Sequence, residues 1–500
     1  MKENIKLLYI DLFCGAGGTS TGVENAKHNG KKCAKVIACV NHDANAIASH
    51  AANHPEALHF TEDIRTLELL PLVAHISKMK AKYPAALVVL WASLECTNFS
   101  KAKGGKPRDA DSRTLAEHLF RYIEAINPDY IQIENVEEFM SWGDLDEHGK
   151  PISRYKGQFY IQWVSKVETF GYRFNHRIMN AADYGAYTSR KRFFGIFAKD
   201  GLPIVFPTAT HSKTGNQNMF GCLNKWKPVK DVLDFTDEGK SIFLRKKELS
   251  PKTLERIYAG LVKFVAGGKD KCFLSKHFSG HPESKNISVD APAHTITAID
   301  HHSLIQTSFI ARYNGQPNQD VNAVSIEVPA PTLTVKDRLS LITPHFIVNE
   351  YSGGGQYSSV DDVCPAVLTT PKQKIVSCQS WLMNPQFYSA GGSIDDPCFT
   401  LIARMDKMPP YLVVTETGQI AIEVYETDSE PMRRIKEFMA IYGIADIKMR
   451  MLKIPELKRI MGFSDNYQLI GTQADQKKFI GNAVEVNMAR VLCEALAKTF

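Results

Sequence analysis

Leu7-Leu8-Tyr9-Ile10-Asp11-Leu12-Phe13 runs straight into Cys14-Gly15-Ala16-Gly17-Gly18-Thr19-Ser20. The first stretch has the apolar, β-rich character of a short buried strand, and the second is a tight turn that opens a helix. Glycines at a strand-to-helix turn let backbone approach a ligand closely, so this segment is a candidate seat for a nucleotide-like cofactor. The competing reading is a turn that serves packing alone. A dinucleotide fingerprint would need a further glycine three residues after Gly17; that position is Ser20, so a nicotinamide dinucleotide fits poorly. Working outward, Lys35-Val36-Ile37-Ala38-Cys39-Val40 reads as the next strand and ends at Asn41-His42-Asp43, where polar groups can meet a ribose. After the following helix, Glu62-Asp63-Ile64-Arg65 brings another polar group to the same edge. Three successive strand ends with ligand-type residues describe an α/β sheet with a cofactor crevice along one edge.

The same edge should carry reactive groups further along. Val88-Val89-Leu90-Trp91-Ala92-Ser93-Leu94 is an apolar run without alternation, the pattern of a buried parallel strand, and it breaks into Glu95-Cys96-Thr97-Asn98-Phe99-Ser100. A lone cysteine is ordinarily a small packing residue. Cys96 sits instead at a strand end, where a thiol of lowered proton affinity serves as a nucleophile. Tyr130-Ile131-Gln132-Ile133 is a second apolar strand ending in Glu134-Asn135-Val136, and Ser189-Arg190-Lys191-Arg192-Phe193-Phe194 follows. A thiol, a carboxyl and two arginines at the ends of separate elements suit attack on a polar ring that is protonated as it is attacked.

Together these pieces resemble the cytosine carbon-5 methyltransferase family, over most of the first two hundred residues and the last fifty. Phe13-Cys14-Gly15-Ala16-Gly17-Gly18 is similar to its cofactor loop and Asp63 to its adenine-contacting acid. Cys96 with Phe99-Ser100 resembles the nucleophile loop, and Glu134-Asn135-Val136 the base-protonating motif. Asn180-Ala181-Ala182-Asp183-Tyr184-Gly185, leading to Arg190 and Arg192, resembles the arginine motif. Arg459-Ile460-Met461-Gly462-Phe463 and Gly481-Asn482-Ala483-Val484 resemble the last two motifs, which return to the cofactor side. The resemblance implies a Rossmann-like class I methyltransferase domain with an inserted, β-rich target-recognition domain. It implies S-adenosylmethionine held by Phe13, Gly15, Ala16, Gly17, Gly18, Asn41, His42, Asp63, Ile64, Asn482 and Val484. Its catalytic set is Cys96, Glu134, Arg190 and Arg192. Four positions depart from the family pattern. Glu95 and Thr97 flank the nucleophile where the family has proline and glutamine, Asn41 replaces a ribose-binding glutamate, and Thr188 replaces a glutamine. A proline would pin the backbone before the thiol, which Glu95 leaves freer. A carboxylate close to the sulfur would also oppose thiolate formation.

The chemistry explains the residue types. Carbon 5 of cytosine is a poor nucleophile until a thiolate adds to carbon 6. Charge then builds on ring nitrogen 3, to be quenched by a carboxyl such as Glu134. The oxygen on carbon 2 gains charge as well, and a guanidinium such as Arg190 stabilises it, with Arg192 holding the carboxyl and loop in register. The thiol leaves when the carbon-5 proton is removed. Inside a duplex the base is out of reach and must be flipped out, at a cost of roughly a few kcal/mol.

Composition is consistent with this reading. Five hundred residues exceed the size of a single growing core, so two domains are expected. Lys plus Arg number 60 against 54 acidic residues, which implies a basic groove rather than a globally basic chain. Ten cysteines show no pair closer than Cys33 and Cys39, so no CxxC knuckle or disulfide framework is visible. His277 and His281 are four apart, but Ser279-Gly280 between them argues for a loop and for ordinary polar residues. The expectation is no metal, no membrane, no secretory leader, and a reduced, cytoplasmic, nucleoid-associated monomer.

From about Pro207 to Tyr442 the texture changes. Ser250-Pro251-Lys252-Thr253-Leu254-Glu255-Arg256-Ile257 reads as a capped helix. Beyond it Ala291-Pro292-Ala293-His294-Thr295-Ile296-Thr297 recurs as Val328-Pro329-Ala330-Pro331-Thr332-Leu333-Thr334. Weaker copies begin at Cys364-Pro365 and Asp396-Pro397, giving proline-to-proline steps of 37, 36 and 32 residues. Phe309-Ile310-Ala311-Arg312-Tyr313 and His345-Phe346-Ile347-Val348 suggest strands between copies. For most of these residues a purely structural β domain is the simpler reading. Within it Arg312, Lys336, Arg338 and Lys372 are candidates for DNA contact, as are Ser100 and Lys103 of the basic, glycine-rich loop after Cys96.

The resulting expectation is a catalytic domain over 1–205 and 450–500 with a recognition domain over 206–449, methylating cytosine carbon 5 in double-stranded DNA. A separate restriction enzyme is a possible functional companion. The same chemistry on tRNA, and a catalytically silent DNA- or cofactor-binding homologue, remain as alternatives; a nicotinamide oxidoreductase is remote.

Overall fold

The computed structural model describes residues 4–94, 115–144, 152–153, 155–218, 221–237, 239–245, 247–262, 424–442 and 444–500, and between 273 and 417 a set of strand segments. Strands β1 (Leu7–Leu12), β2 (Ala34–Asn41), β3 (Leu58–Thr61), β4 (Leu87–Ser93) and β5 (Tyr130–Asn135) run parallel. β6 (Tyr172–Asn180) and β7 (Lys191–Lys199) pair antiparallel, and β7 joins β5 antiparallel. The seven strands lie in the order β3-β2-β1-β4-β5-β7-β6. This is an α/β arrangement.

The apolar runs take these places because the parallel strands are covered on both faces. Leu8, Ile10 and Leu12 of β1 join Val88, Leu90 and Ala92 of β4 in one core cluster. Leu7 and Tyr9 join Val89 and Trp91 in the other, with Met488, Leu492 and Leu496 from near the C-terminus. Helices α1 (Gly18–Asn25), α2 (Ala44–Asn53), α3 (Leu70–Lys82), α4 (Leu119–Ile126) and α5 (Gln158–Glu168) connect the strands.

The chain moves outward from β1 to β2 and β3, then returns to β4 on the opposite side of β1. That reversal is a topological switch point, the place where open α/β sheets leave a crevice beyond their carboxyl ends. β1, β2, β4 and β5 all end on this edge. β7 runs the other way, so it begins there: Asn135 pairs with Phe193 and Glu134 with Phe194.

Two units divide the chain: Met1–Trp226 with Leu401–Ala403 and Leu457–Phe500, and Lys227–Thr400 with Arg404–Glu456. In the second unit, helices α6 (Pro251–Gly260) and α7 (Glu430–Tyr442) share a core of Leu254, Ile257, Ile435, Phe438, Ile447 and Met449. Its strand Ile444–Met451 pairs antiparallel with Tyr411–Thr417 and with His302–Gln306. Arg450 bonds Glu456 through two nitrogens at 2.9 Å each, both side chains buried. The helix expected after Ser250 is present, but the Ser250 hydroxyl bonds the Thr253 hydroxyl at 2.9 Å instead of capping a backbone N–H. Phe309–Arg312 and His345–Asn349 are strands. The four repeated Pro/Thr segments lie outside the described residues. Among the described residues no helix is long and apolar enough to cross a membrane.

Candidate active site

The edge of the sheet at β4, β5 and β7 gathers the polar groups. Glu134 and Asn135, at the end of β5, are buried, and Ser93, at the end of β4, is the register partner of Glu134. The chain therefore leaves β4 toward Cys96 from a position beside the carboxylate. Cys96 itself, with Ser100, Lys103 and Arg338, lies outside the described residues; Arg312 ends a strand whose side chains are not described.

Arg192 enters from the start of β7 and places Nε 3.3 Å from Glu134 Oε1; Arg190 Nη2 lies 4.0 Å from the same oxygen. All three side chains are almost wholly shielded from solvent. Despite this pairing Glu134 Oε1 accepts no hydrogen bond. A buried carboxylate oxygen in that state calls for a further partner, and active sites are where such groups persist. Arg190 is anchored by Nη1 donating to the Gly481 carbonyl at 3.2 Å, which ties the arginine motif to the closing segment. The loop carrying it is closed by Ala181 N–H donating to the Arg190 carbonyl at 3.0 Å and by Asn180 capping the short turn of Ala181–Tyr184. Thr188 is fully buried in that loop, and its hydroxyl makes no hydrogen bond.

At the switch point the turn after β1 holds Phe13 at φ 59, Gly15 at φ 51 and Gly17 at φ 98. Glycine permits the left-handed backbone at Gly15 and Gly17, while Phe13 adopts it as a non-glycine residue. A Cβ on Gly15 would meet nothing within 4 Å, so open space borders this loop. A Cβ on Gly18 would stand 2.4 Å from the Val484 carbonyl oxygen, so glycine there lets the closing segment lie against α1. Tyr467 donates its hydroxyl to the Ala16 carbonyl from that same segment. Asn482 is exposed and Val484 buried.

Asn41 ends β2 and accepts the Asp43 N–H at 2.9 Å; His42 is exposed. Asp63 is held by Arg65 at 2.7 Å, and this guanidinium keeps its carboxyl below the usual range. Ile64 is buried, its carbonyl accepting from Tyr122 at 2.9 Å and Arg121 at 3.1 Å. The sequence-derived cofactor residues thus fall along one edge, except that Asp63 already has a partner.

A buried polar chain under the loop was not read from the sequence. Asp11 accepts from Ser20 Oγ at 2.7 Å, Ser20 Oγ bonds His50 Nε2 at 2.8 Å, and His50 Nδ1 lies 2.9 Å from His59 Nε2. Burial pushes the Asp11 carboxyl up to about 8. The signal available was Asp11 itself, a charge inside an apolar strand. Ser20, which counts against a dinucleotide, proves to be its partner.

A sequence profile described as C-5 cytosine-specific DNA methylase matches residues 7–280 and 396–498, well over half the chain. This chain belongs to the C-5 cytosine-specific DNA methylase family. Among curated relatives, the type II methyltransferase M.AgeI of Thalassovita gelatinovora is 29% identical over 203 residues, 40% of this chain and 42% of that protein. The type II methyltransferase M1.HphI of Haemophilus parahaemolyticus is 29% identical over 211 residues, 42% of this chain and 50% of that protein. The chain thus spans about half the length of these two methylases. A solved structure of the Entamoeba histolytica methyltransferase EhMeth aligns with 99% of this chain and 98% of its own at 12% identity and a TM-score of 0.48.

Proposed function

We propose that this family member methylates carbon 5 of cytosine in double-stranded DNA, with S-adenosylmethionine as the methyl donor. One observation carries the reading: the buried Glu134 carboxylate, its Oε1 without a hydrogen bond, faces Arg192 and Arg190 beside the strand that leads to Cys96. The cytosine ring supplies the missing partner. Cys96 sulfur forms a bond to carbon 6 as Glu134, in its protonated carboxyl form, gives its proton to nitrogen 3 and takes it back when the ring is restored, while Arg190 donates to the oxygen on carbon 2. Arg192 keeps the Glu134 carboxyl in place. Once carbon 5 carries the new methyl group, loss of its proton expels the Cys96 sulfur and restores the ring. The target base is flipped out of the duplex to reach these groups.

The donor, when bound, supplies an electrophilic methyl group on a sulfonium. The residues at the switch point suit it. The open space beside Gly15 gives it room, Phe13 offers an aromatic edge, and Asn41 at the end of β2 and Asp63 just beyond β3 would supply acceptors for a ribose hydroxyl and an adenine amine. Asp63 must then share its carboxylate with Arg65; the pair is about one-third exposed, and such pairs are worth about 0–1 kcal/mol, so sharing costs little. Target recognition is assigned to the inserted second unit, with its many antiparallel strands. Both relatives are named type II methyltransferases, which makes a separate restriction enzyme the natural companion.

The test is methyl transfer by the full chain to duplex DNA and to tRNA, with the products sequenced for 5-methylcytosine. Transfer to duplex DNA at a defined sequence is expected, together with its abolition in Cys96→Ser and a covalent adduct on DNA containing 5-fluorocytosine, because fluorine cannot leave as a proton does. Label in tRNA alone, or near-normal turnover by Cys96→Ser, overturns the proposal.

A further inference from the structure

The sheet register sets three polar side chains in a row. Asp11 of β1 pairs with Cys39 of β2, and Cys39 pairs with His59 of β3. Side chains at paired positions of parallel strands project from the same face. Cys14, in the turn after β1, and His50, on α2, come in over this row. Sγ of Cys14, Sγ of Cys39 and a ring nitrogen of His50 all lie within 4.8 Å of one another, and all three residues are buried. His50 Nδ1 lies 3.6 Å from Cys39 Sγ and 2.9 Å from His59 Nε2.

We propose that Cys14, Cys39 and His50 form a binding site for a thiolate-preferring divalent metal ion, zinc above all, beneath the turn that opens α1, with His59 in reach of the fourth position.

Four arguments support it. The donor set is that of structural zinc, two thiolates and one or two imidazoles, without competing hard oxygen ligands in the cluster. The spacing is right: with Zn–S of about 2.3 Å and Zn–N of about 2.0 Å, tetrahedral ligand atoms stand roughly 3.5–3.8 Å apart, so the observed limit of 4.8 Å closes by about an ångström. Charge is satisfied, since two thiolates and a dication leave no net charge in a buried place. Finally, the ring is already oriented. Ser20 Oγ donates to Asp11 Oδ2 and takes its own bond from His50 Nε2, which makes Nδ1 the unprotonated nitrogen, lying between Cys39 Sγ at 3.6 Å and His59 Nε2 at 2.9 Å. A ligating histidine whose other nitrogen is held through a carboxylate is the usual outer arrangement of a metal centre. The other oxygen, Asp11 Oδ1, is buried without a hydrogen bond, which a nearby positive ion would offset. The separations from Cys14 to Cys39 and His50 in sequence explain why ligand spacing did not reveal the group; the sheet register brings it together. An ion here would tie the turn after β1 to β2 and α2.

The experiment uses the full chain, made metal-free under reducing conditions and titrated with Co²⁺ and Zn²⁺. Expected are one equivalent bound per chain, a near-ultraviolet sulfur-to-cobalt band, and tetrahedral visible bands that Zn²⁺ bleaches. The bands should be lost in Cys14→Ser, Cys39→Ser and His50→Ala, each checked for native circular dichroism, and kept in Cys222→Ser, whose cysteine is exposed. X-ray absorption on the zinc-loaded wild-type chain covers the case of variants that do not fold: two sulfurs and at least one imidazole nitrogen are expected. No stoichiometric uptake, bands that survive both cysteine changes in folded protein, or a shell of oxygen and nitrogen alone overturns the site.

Discussion

At the scale of single residues, Glu134 concentrates the argument. Its Oε1 is buried beside two guanidinium groups yet accepts no hydrogen bond, so the arginines position the carboxyl without exhausting it. A glutamine there keeps the shape and the arginine contacts but has no proton to deliver. Glu134→Gln should therefore lower single-turnover methyl transfer by on the order of a hundredfold or more, with duplex affinity nearly unchanged. Filter binding beside rapid-quench kinetics separates the two; a loss confined to affinity would reassign Glu134 to holding the base. Glu134 was legible in the sequence as a carboxyl ending an apolar run, while Arg190 and Arg192, before the apolar run that starts at Phe193, were singled out by the motif they resemble. The Asp11, Ser20, His50 and His59 chain was not, because its members come from four different elements and meet only through the register of β1, β2 and β3. The buried, unbonded Thr188 hydroxyl has no structural explanation.

Among elements, α2 shows how local chemistry sets the cofactor edge. Asp43 caps it, accepting from the Asn45 and Ala46 N–H groups, and also binds Lys478 of α8 (Gln473–Asn482) at 2.9 Å. Burial works against its charge, but the Lys478 and backbone bonds win and hold the carboxyl below its usual range. A carboxyl depressed in the folded state stabilises above its unfolded value of 3.8 and loses that contribution as pH falls through the lower folded value. Asp43→Ala should cost about 1 kcal/mol at pH 7, measured by denaturant midpoint, and the gap to wild type should shrink below pH 4. A gap that persists in acid would mean that packing, not the capping charge, is what the change removes. The parallel strands were readable because burial on both faces makes them continuous apolar runs. Strand β6 was not read: at the sheet edge its Arg173, Asn175 and Arg177 are exposed and His176 half-buried, so it carries no such run. Turn chemistry misled in one place, since Ser250 precedes a real helix but spends its hydroxyl on Thr253.

At the scale of the whole molecule, the two units set the terms for separating ring chemistry from sequence recognition. The sequence implied two domains from length and from the change of texture after Pro207, while the four Pro/Thr repeats that prompted a β-rich reading lie outside the described residues. Every residue assigned here to the cofactor or to the ring chemistry belongs to the first unit by number. If the second unit reads the DNA, exchanging residues 227–456 for the equivalent region of a related methylase should change which sequence is methylated and leave the constant for S-adenosylmethionine nearly unchanged. Substitutions within that region should sort by contact type. Loss of a base-reading arginine, for which Arg312 and Arg338 are the candidates, should relax one position of the site by about 1–3 kcal/mol. Loss of a phosphate-contacting lysine should weaken all sequences alike and make the dependence of log affinity on log salt shallower by about one unit. Bisulfite sequencing reads the first outcome and salt-titrated binding the others. An exchanged protein that folds and still methylates its original sequence would move recognition to the first unit, for which the basic, glycine-rich sequence from Lys101 to Lys106 after Cys96 is the candidate.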